Sequence, residues 1–502
     1  MREVTRGGTT RDVVVVGAGP AGLAAALAAA SAGARVTLLD AADGLGGQYW
    51  RHLPPERPAG REGLLHHKWA VFGELADTLR AHPAVTVLPT AQVWSLERHD
   101  GGVRLNVLVG EPDGEGRESL VLDPDALVLA TGAHDRTLPF PGWQLPGVYS
   151  AGAAQALAKG ERVAVGRRVV VAGAGPFLLP VASSLLQTGA TVVGVHEAGR
   201  VGSLARGWLN RPWELAGATG KAGELAGYVS DLVRHRVPWR PREAVVAAHG
   251  VGQVEAVTIA RLDDNWAPVA GTERLVEADA VCVSHGFTPR LELAIAAGCD
   301  LSPGRFVRVD DRQATSVPGV WAAGEITGIG GADAALAEGT VAGTAAAGGD
   351  TGSGAARTAG RARSRARGFA ARIEAAHGIR AGWTAWLRDD TVVCRCEETT
   401  YGRVREVVEL TGSREARSVK LTSRAGLGPC QARMCGRTLQ ELLAGPGACG
   451  DAEGAGGGTT STVDRRPLVV PVRLGDLAAL PAPRRSPSPL TAAESQPGGD
   501  RT

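Results

Sequence analysis

Two stretches of the chain repeat one order of apolar and polar positions. Residues 13–16 are an unbroken valine run, apolar enough for a strand covered on both faces. Gly17-Ala18-Gly19-Pro20-Ala21-Gly22 follows, then an alanine-rich helical segment, a second apolar strand over 36–39, and Asp40. After Arg168 the layout returns: a strand over 169–172, Gly173-Ala174-Gly175, a helix, a strand over 191–195, and Glu197. A strand that turns on glycines into a helix, followed by a strand ending in an acid, is the pattern of a dinucleotide-binding unit. Two such units predict an α/β fold of two Rossmann-like domains on parallel sheets.

The remaining pattern places these units in domains. A helix is predicted over 71–81, a strand over 85–89 and a hairpin region around Gly101 and Gly114. Residues 126–130 form a buried strand that ends at Thr131-Gly132, and the prolines between 134 and 148 mark a domain crossing. A helix over 221–236 and strands over 254–260 and 280–284 complete the second unit. Residues 317–323 are then a strand running into Gly324-Glu325, and Asp333 is placed to cap a small-residue helix over 333–347. The first domain therefore spans 10–145 and 291–347, split by a second domain at 146–290. Beyond lie a linker at 348–388, a small helical domain at 389–445 and a glycine-rich flexible linker at 446–463. A segment at 464–480 regains apolar character and should dock on a folded domain, and 481–502 reads as disordered.

The glycines carry the first chemistry. Gly17 permits the tight turn, Gly19 lets the backbone approach a pyrophosphate, and Gly22 allows close helix–strand packing. Pro20 and Ala21 open the helix, whose N-terminal amides and dipole face the phosphates. Asp40 is placed to accept a hydrogen bond from a ribose hydroxyl. By itself this unit does not choose between FAD and a nicotinamide cofactor. In the second unit Leu178 stands where the third glycine belongs, so its helix must sit differently. Glu197 there favours NAD or another adenosine nucleotide such as ATP, while nearby Arg200 leaves NADP open. Gly47-Gln48, soon after Asp40, is a turn that a flavin site can use. His66 and His67 are adjacent, face different directions and read as surface histidines.

Composition narrows the classes. The chain has 502 residues, enough for several domains, and 54 basic against 52 acidic residues leave a formal charge of +2. That balance does not suggest a nucleic-acid binder. No segment reads as a signal peptide or a transmembrane span, so a cytoplasmic protein with reduced thiols is expected. Cys394 and Cys396 form C-x-C, and Cys430 and Cys435 form C-x4-C. Four thiolates so placed bind either a [2Fe–2S] cluster or structural zinc, and the C-x-C spacing favours iron. Cys282, Cys299 and Cys449 are isolated, and Cys282 sits in an apolar strand as a core residue.

Taken together, GAGPAG, the Ala-Thr-Gly strand and GVWAAGE resemble the two-dinucleotide-domain flavoproteins, the fold of thioredoxin reductase and the pyridine nucleotide-disulfide oxidoreductases, over residues 10–347. The resemblance implies FAD held by the first glycine motif and Asp40. It also implies flavin contacts from Gly47, Gln48, Thr131 and Gly132, with Gly324 and Glu325 at the ribityl chain, where the family commonly has Asp. Gly173, Gly175 and Glu197 then map onto its NAD(P) domain. Those reductases carry a redox C-x-x-C that this chain lacks, which disfavours dithiol chemistry. CRCEETT and GPCQARMCG resemble the bacterioferritin-associated-ferredoxin-like (BFD-like) [2Fe–2S] module, in the form fused behind a flavoprotein. Arg395, Lys420, Arg424, Arg433 and Arg437 flank the four cysteines, as thiolate-stabilising charges or as a solvated basic face.

With the PVRLGDL segment added, the layout resembles the α (A) subunits of opine oxidases and of hydroxyproline or proline dehydrogenases, and the B subunit of hydrogen cyanide synthase. The resemblance implies an electron-transferring subunit of an amine or imino-acid dehydrogenase. It also implies a glycine-oxidase-like flavoprotein β subunit that oxidises the substrate and, as a further partner, a small ferredoxin-like subunit. No nucleophile–base pair or carboxylate dyad with recognisable spacing appears in this chain, so no catalytic residue is assigned. Two other readings stay open: a self-sufficient NAD(P)H-dependent flavin reductase, and a nucleotide-binding structural subunit.

Overall fold

Strand Asp12–Val16 occupies the centre of a five-stranded parallel sheet, flanked by Arg35–Leu39 and Ala126–Leu129. Val85–Leu88 and Val320–Ala322 are its edges, so the strand after the second domain returns to the first sheet. The computed structural model describes residues 10–478 except 55, 58–59, 61, 113, 210–218, 446–465 and 467. The stretches expected to be flexible at 446–463 and disordered at 481–502 lie outside the described residues, as does Cys449. The second parallel sheet runs Trp239–Pro241, Thr191–Glu197, Arg168–Gly173, Ala280–Ser284 and Val148–Ser150. Each parallel sheet carries an antiparallel three-stranded companion: Ala91–His99, Gly102–Val109 and Glu118–Leu122 in the first domain, and Glu243–His249, Ala256–Arg261 and Arg274–Glu277 in the second. The two crossings between domains pair with each other as Ala133–Asp135 and Phe287–Pro289.

Small residues let the first domain close tightly. Helix Pro20–Ser31 packs along helix Gly331–Ala346, and a Cβ on Gly339 or Gly343 would fall 2.1 Å or 2.0 Å from the carbonyl oxygens of Ala21 and Ala25. This is a steric reason for the alanine and glycine content of both helices. Asp333 lies in the first turn of the second helix but does not cap it; Gly330 is the N-cap, and Asp333 pairs with Lys68 instead. His66 is likewise not a surface residue: it is buried, and its ring nitrogens meet the carbonyls of Glu62 and Arg51.

The segment read as a linker holds a 24-residue helix, Gly354–His377. Its polar composition hides an inward face of Ala356, Arg363, Arg372 and Ala376, all buried. Arg363 and Arg367 hydrogen-bond Gln313, and Ala376 fits against Gly207, where a Cβ would meet Ala376 at 2.7 Å. Next, Trp383 and Trp386 pack with Trp266, Ala174 and Ala198 behind the second glycine turn.

The cysteine-bearing domain has a hairpin, Val392–Cys394 and Thr399–Thr400, and helices Tyr401–Thr411, Ala416–Ser423 and Gly436–Ala444 around Val404, Val407, Val419 and Leu439. Thr400 caps the first helix by accepting from the Arg403 amide. Residues 468–478 lie on the first domain: Val469 N donates to Trp94 O (2.8 Å), Arg473 reaches Gly114 O (3.1 Å), and Asp476 pairs with Arg117 (2.5 Å).

Candidate functional site

Both glycine turns and both acids stand at the C-terminal ends of parallel strands, where open α/β sheets bind ligands. A Cβ on Gly22 would overlap Gly17 O at 1.7 Å, so the helix can start at Pro20 hard against the turn only because position 22 is glycine. Asp40 accepts from Ala18 N and, at 2.8 Å, from Ala42 N, which ties the acid to the turn. Burial raises its carboxyl, with the two amides working in the opposite direction. Gly47 lies directly on the phosphate turn, its Cβ position 2.8 Å from Gly19 Cα.

A cavity of about 3330 Å³ opens over these elements. It is several times the roughly 300–1,000 Å³ of an ordinary small-molecule site. Gly17, Gly19, Pro20, Ala21, Asp40, Gly47 and Gln48 line it from the first domain, and Thr131, Gly132, Gly324 and Glu325 close it from the crossing and the returning strand. Gly175 and Glu197 line the part under the second domain, and Cys430 reaches it from the cysteine domain. Gly22 and Gly173 are not on its wall; a Cβ on Gly173 would overlap Ser284 O at 1.7 Å, so its role is close packing between strands.

Glu325 is half-buried, and no hydrogen bond from the described residues reaches its carboxylate. Burial, with Asp135 adding a like charge, pushes it up to about 7. A carboxyl on a cavity wall without a protein donor suits the hydroxyls of a polyhydroxylated ligand, and the residues here fit FAD. FAD supplies two-electron chemistry when bound. Behind Glu325, buried Glu338 accepts from Gly324 N (2.9 Å) and Thr327 Oγ1 (2.7 Å) and pairs with Arg367 (3.1 Å). Sequence reasoning missed both residues. The signal for Glu338 was a lone acid deep in the Gly331–Ala346 helix; Arg367 had none, because its partners are remote in the chain.

The second unit repeats the first with changes. Its helix, Leu178–Gln187, begins five residues after Gly173, where the first helix begins three after Gly17. Leu178 is buried in the core, and this shifts the helix N-terminus away from the turn. Glu197 accepts from Gly175 N (3.0 Å) and Gly199 N (2.9 Å), as Asp40 does from its own turn. A third partner comes from outside the domain: His377 Nδ1 is 3.4 Å from Glu197 Oε1. The Trp208 indole donates to His377 Nε2 (3.2 Å), so the ring's proton sits on Nδ1 and points to Glu197. Arg200 is drawn to Asp264 at 2.7 Å, away from Glu197.

The four cysteines draw together in pairs. Cys394 hydrogen-bonds Cys435, which lowers the Cys394 thiol to about 6 and holds the Cys435 thiol up. Cys396 hydrogen-bonds Cys430, and burial together with that bond raises the Cys396 thiol. Among the described residues no group of three or more His, Cys, Asp or Glu side chains is arranged to hold a single metal ion. Two thiol pairs suit two irons with two thiolates each, whereas zinc takes four ligands around one centre. Cys435 is also the N-cap of helix Gly436–Ala444, whose dipole favours a thiolate. The flanking arginines divide. Arg424 pairs with Glu397 at the surface, and Arg395 stacks over Trp143. Arg433 and Arg437 line the cavity, where burial lowers the Arg437 guanidinium to about 10.

Among the described residues no helix is long and apolar enough to cross a membrane. Residues 11–339 match the model of the pyridine nucleotide-disulphide oxidoreductase family, and 392–445 that of the BFD-like [2Fe-2S] binding domain. The chain is 32% identical to the A subunit of opine oxidase from Rhizobium meliloti, over 98% of this chain and 92% of the relative. It is also 32% identical to the HcnB subunit of hydrogen cyanide synthase from Pseudomonas aeruginosa, over 84% and 90% respectively. The L-proline dehydrogenase structure from P. horikoshii superposes with a TM-score of 0.63 at 19% identity, covering 93% of this chain and 79% of that one, and shares its fold. The chain belongs to the pyridine nucleotide-disulphide oxidoreductase family, as an FAD-dependent oxidoreductase that carries a BFD-like [2Fe–2S] domain and a second, NAD(P)-type nucleotide domain.

Proposed function

We propose that the chain is the electron-transferring component of an amine or imino-acid dehydrogenase or oxidase built from several subunits and acting on opines, hydroxyproline, proline or glycine. A glycine-oxidase-like flavoprotein subunit would oxidise the C–N bond, and a small ferredoxin-like subunit is a further partner. The observation that carries the reading is one continuous cavity, lined by Gly19 and Glu325 of the flavin domain and by Cys430 of the cluster domain. A flavin takes two electrons and an iron–sulfur cluster one, so adjacent sites convert a two-electron oxidation into single-electron steps. Support also comes from the relatives, two of which are named as subunits of opine oxidase and hydrogen cyanide synthase.

The purified chain, loaded with FAD and iron, is expected not to oxidise these substrates unaided; full turnover by the chain alone would overturn the proposal. Cys430→Ala should abolish the reduced-cluster EPR signal while FAD stays bound, and a retained signal would refute the ligand assignment. A second reading, an NAD(P)H-dependent reductase, is favoured by one feature: Gly175 and Phe177 line the same cavity as Gly19. Rapid bleaching of the flavin by NADH would select it.

A further inference from the structure

One carboxylate gathers the contacts between the cluster loop and the flavin domain. Glu292 stands in the first turn of Glu292–Ala297, two residues after Arg290. Arg290 is itself fastened to the end of the Ala-Thr-Gly strand: its amide donates to Gly132 O (3.0 Å), and its carbonyl accepts from Thr131 Oγ1 (2.8 Å). Two guanidiniums converge on Glu292 Oε1, Arg433 at 3.3 Å and Arg466 at 3.8 Å. The side chains of Glu292, Arg433 and Arg466 are 19%, 16% and 9% exposed, so solvent screens this cluster poorly.

Each arginine also holds one carbonyl of the cysteine loop. Arg433 Nη1 donates to Cys430 O (3.0 Å), and Arg466 Nε donates to Gln431 O (2.7 Å). Arg433 further donates to Val469 O, whose residue is paired with Trp94 of the flavin domain. A short run of contacts thus leads from Thr131–Gly132 through Arg290, Glu292 and Arg433 to the backbone of Cys430. Both of its ends lie on the wall of one cavity. Glu292 and Arg466 lie outside the 430–435 loop, and Arg433 and Arg466 hold it by the carbonyls of Cys430 and Gln431, so the arrangement fixes where the loop sits.

We infer that Glu292 is a positioning residue for electron transfer: through Arg433 and Arg466 it seats the Cys430 loop against the flavin strand and sets the rate at which an electron passes between them. This rests on the relay reading of the chain. In the step one electron leaves the reduced flavin and enters the oxidised cluster. A one-electron acceptor then reoxidises the cluster before the second electron follows. The reductant in the cell is the amine or imino acid oxidised on the partner, and no bond to Glu292, Arg433 or Arg466 forms or breaks.

The test uses the full chain loaded with FAD and iron, its flavin reduced photochemically by a deazaflavin, with reduced-cluster EPR followed in time. Glu292→Gln should keep FAD, iron and the wild-type EPR line shape yet transfer more than about tenfold more slowly, because one partner of a poorly solvated ion cluster is lost. Glu292→Asp should recover part of the rate, and amide exchange over 429–435 should quicken in Glu292→Gln alone. An unchanged rate in Glu292→Gln overturns the inference. No transfer in the wild type, with both cofactors present, overturns the relay reading and the inference with it. Where Glu292→Gln loses iron, Arg466→Gln makes the same test from outside the cysteine domain: slower transfer supports the inference, and an unchanged rate overturns it.

Discussion

Lys159 stands in the last turn of helix Ala151–Gly160 on the cavity wall, 6% exposed, with its ammonium bonded to Tyr49 O at 3.1 Å. No carboxylate pairs with it among the described residues, and burial pushes it down from 10.5 to about 8. That gap corresponds to ~3 kcal/mol. The sign follows from proton counting. Below pH 8 folded and unfolded chains both hold the proton, and the folded state bears the full cost of a buried cation. Between pH 8 and 10.5 the folded chain has released the proton while the unfolded chain keeps it, so this contribution becomes less destabilising as pH rises. Lys159→Met removes the charge and keeps the bulk, losing the bond to Tyr49 at about 1 kcal/mol. The FAD-free variant should therefore be ~2 kcal/mol more stable than wild type at pH 7 and ~1 kcal/mol less stable near pH 10.5. Urea titrations at the two pH values, followed by tryptophan fluorescence, measure the crossing. A gap that is equal at both pH values, or a variant less stable at pH 7, would refute the argument. An anion in the cavity gives the buried cation a use, and bound FAD should accordingly stabilise wild type more than Lys159→Met.

Glu338→Ala leaves the buried Gly324 amide without its acceptor, while Thr327 keeps Gly324 O and Arg367 keeps Gln313, so it should cost about 1–3 kcal/mol in denaturant stability and release FAD on gel filtration. A flavin-retaining variant of wild-type stability would show that the loop before Glu325 holds itself. His377→Ala removes the third partner of Glu197, and ADP-ribose should bind about fivefold more tightly by calorimetry, the worth of one hydrogen bond. Weaker binding would make His377 part of the nucleotide's surface rather than its competitor.

The sites were legible to different depths. Strand, turn, helix and acid fall within about thirty residues in each nucleotide unit, so the parallel sheets, both glycine turns, Asp40 and Glu197 could be read as local patterns. Asp333 failed as a cap because the helix begins two residues earlier, at Gly331, which puts Asp333 inside the first turn, where its carboxylate meets Lys68. The polar helix Gly354–His377 looked like a linker because arginines mask its inward face, and remote partners such as Asp311, Gln313 and Glu338 are not visible from its own sequence.

Residue order alone thus decided the fold class, the two nucleotide turns and the four cysteines, since each depends on spacing within one or two elements. Tertiary structure decided how they act together. His377 meets Glu197 across 180 residues, and Arg136 meets Glu441 across 305. Glu292 is shared by arginines on either side of the undescribed 446–465 stretch. Such pairings have no period and no fixed spacing. They exist because burying charge is costly unless a partner arrives, and which partner arrives is settled only when the domains pack.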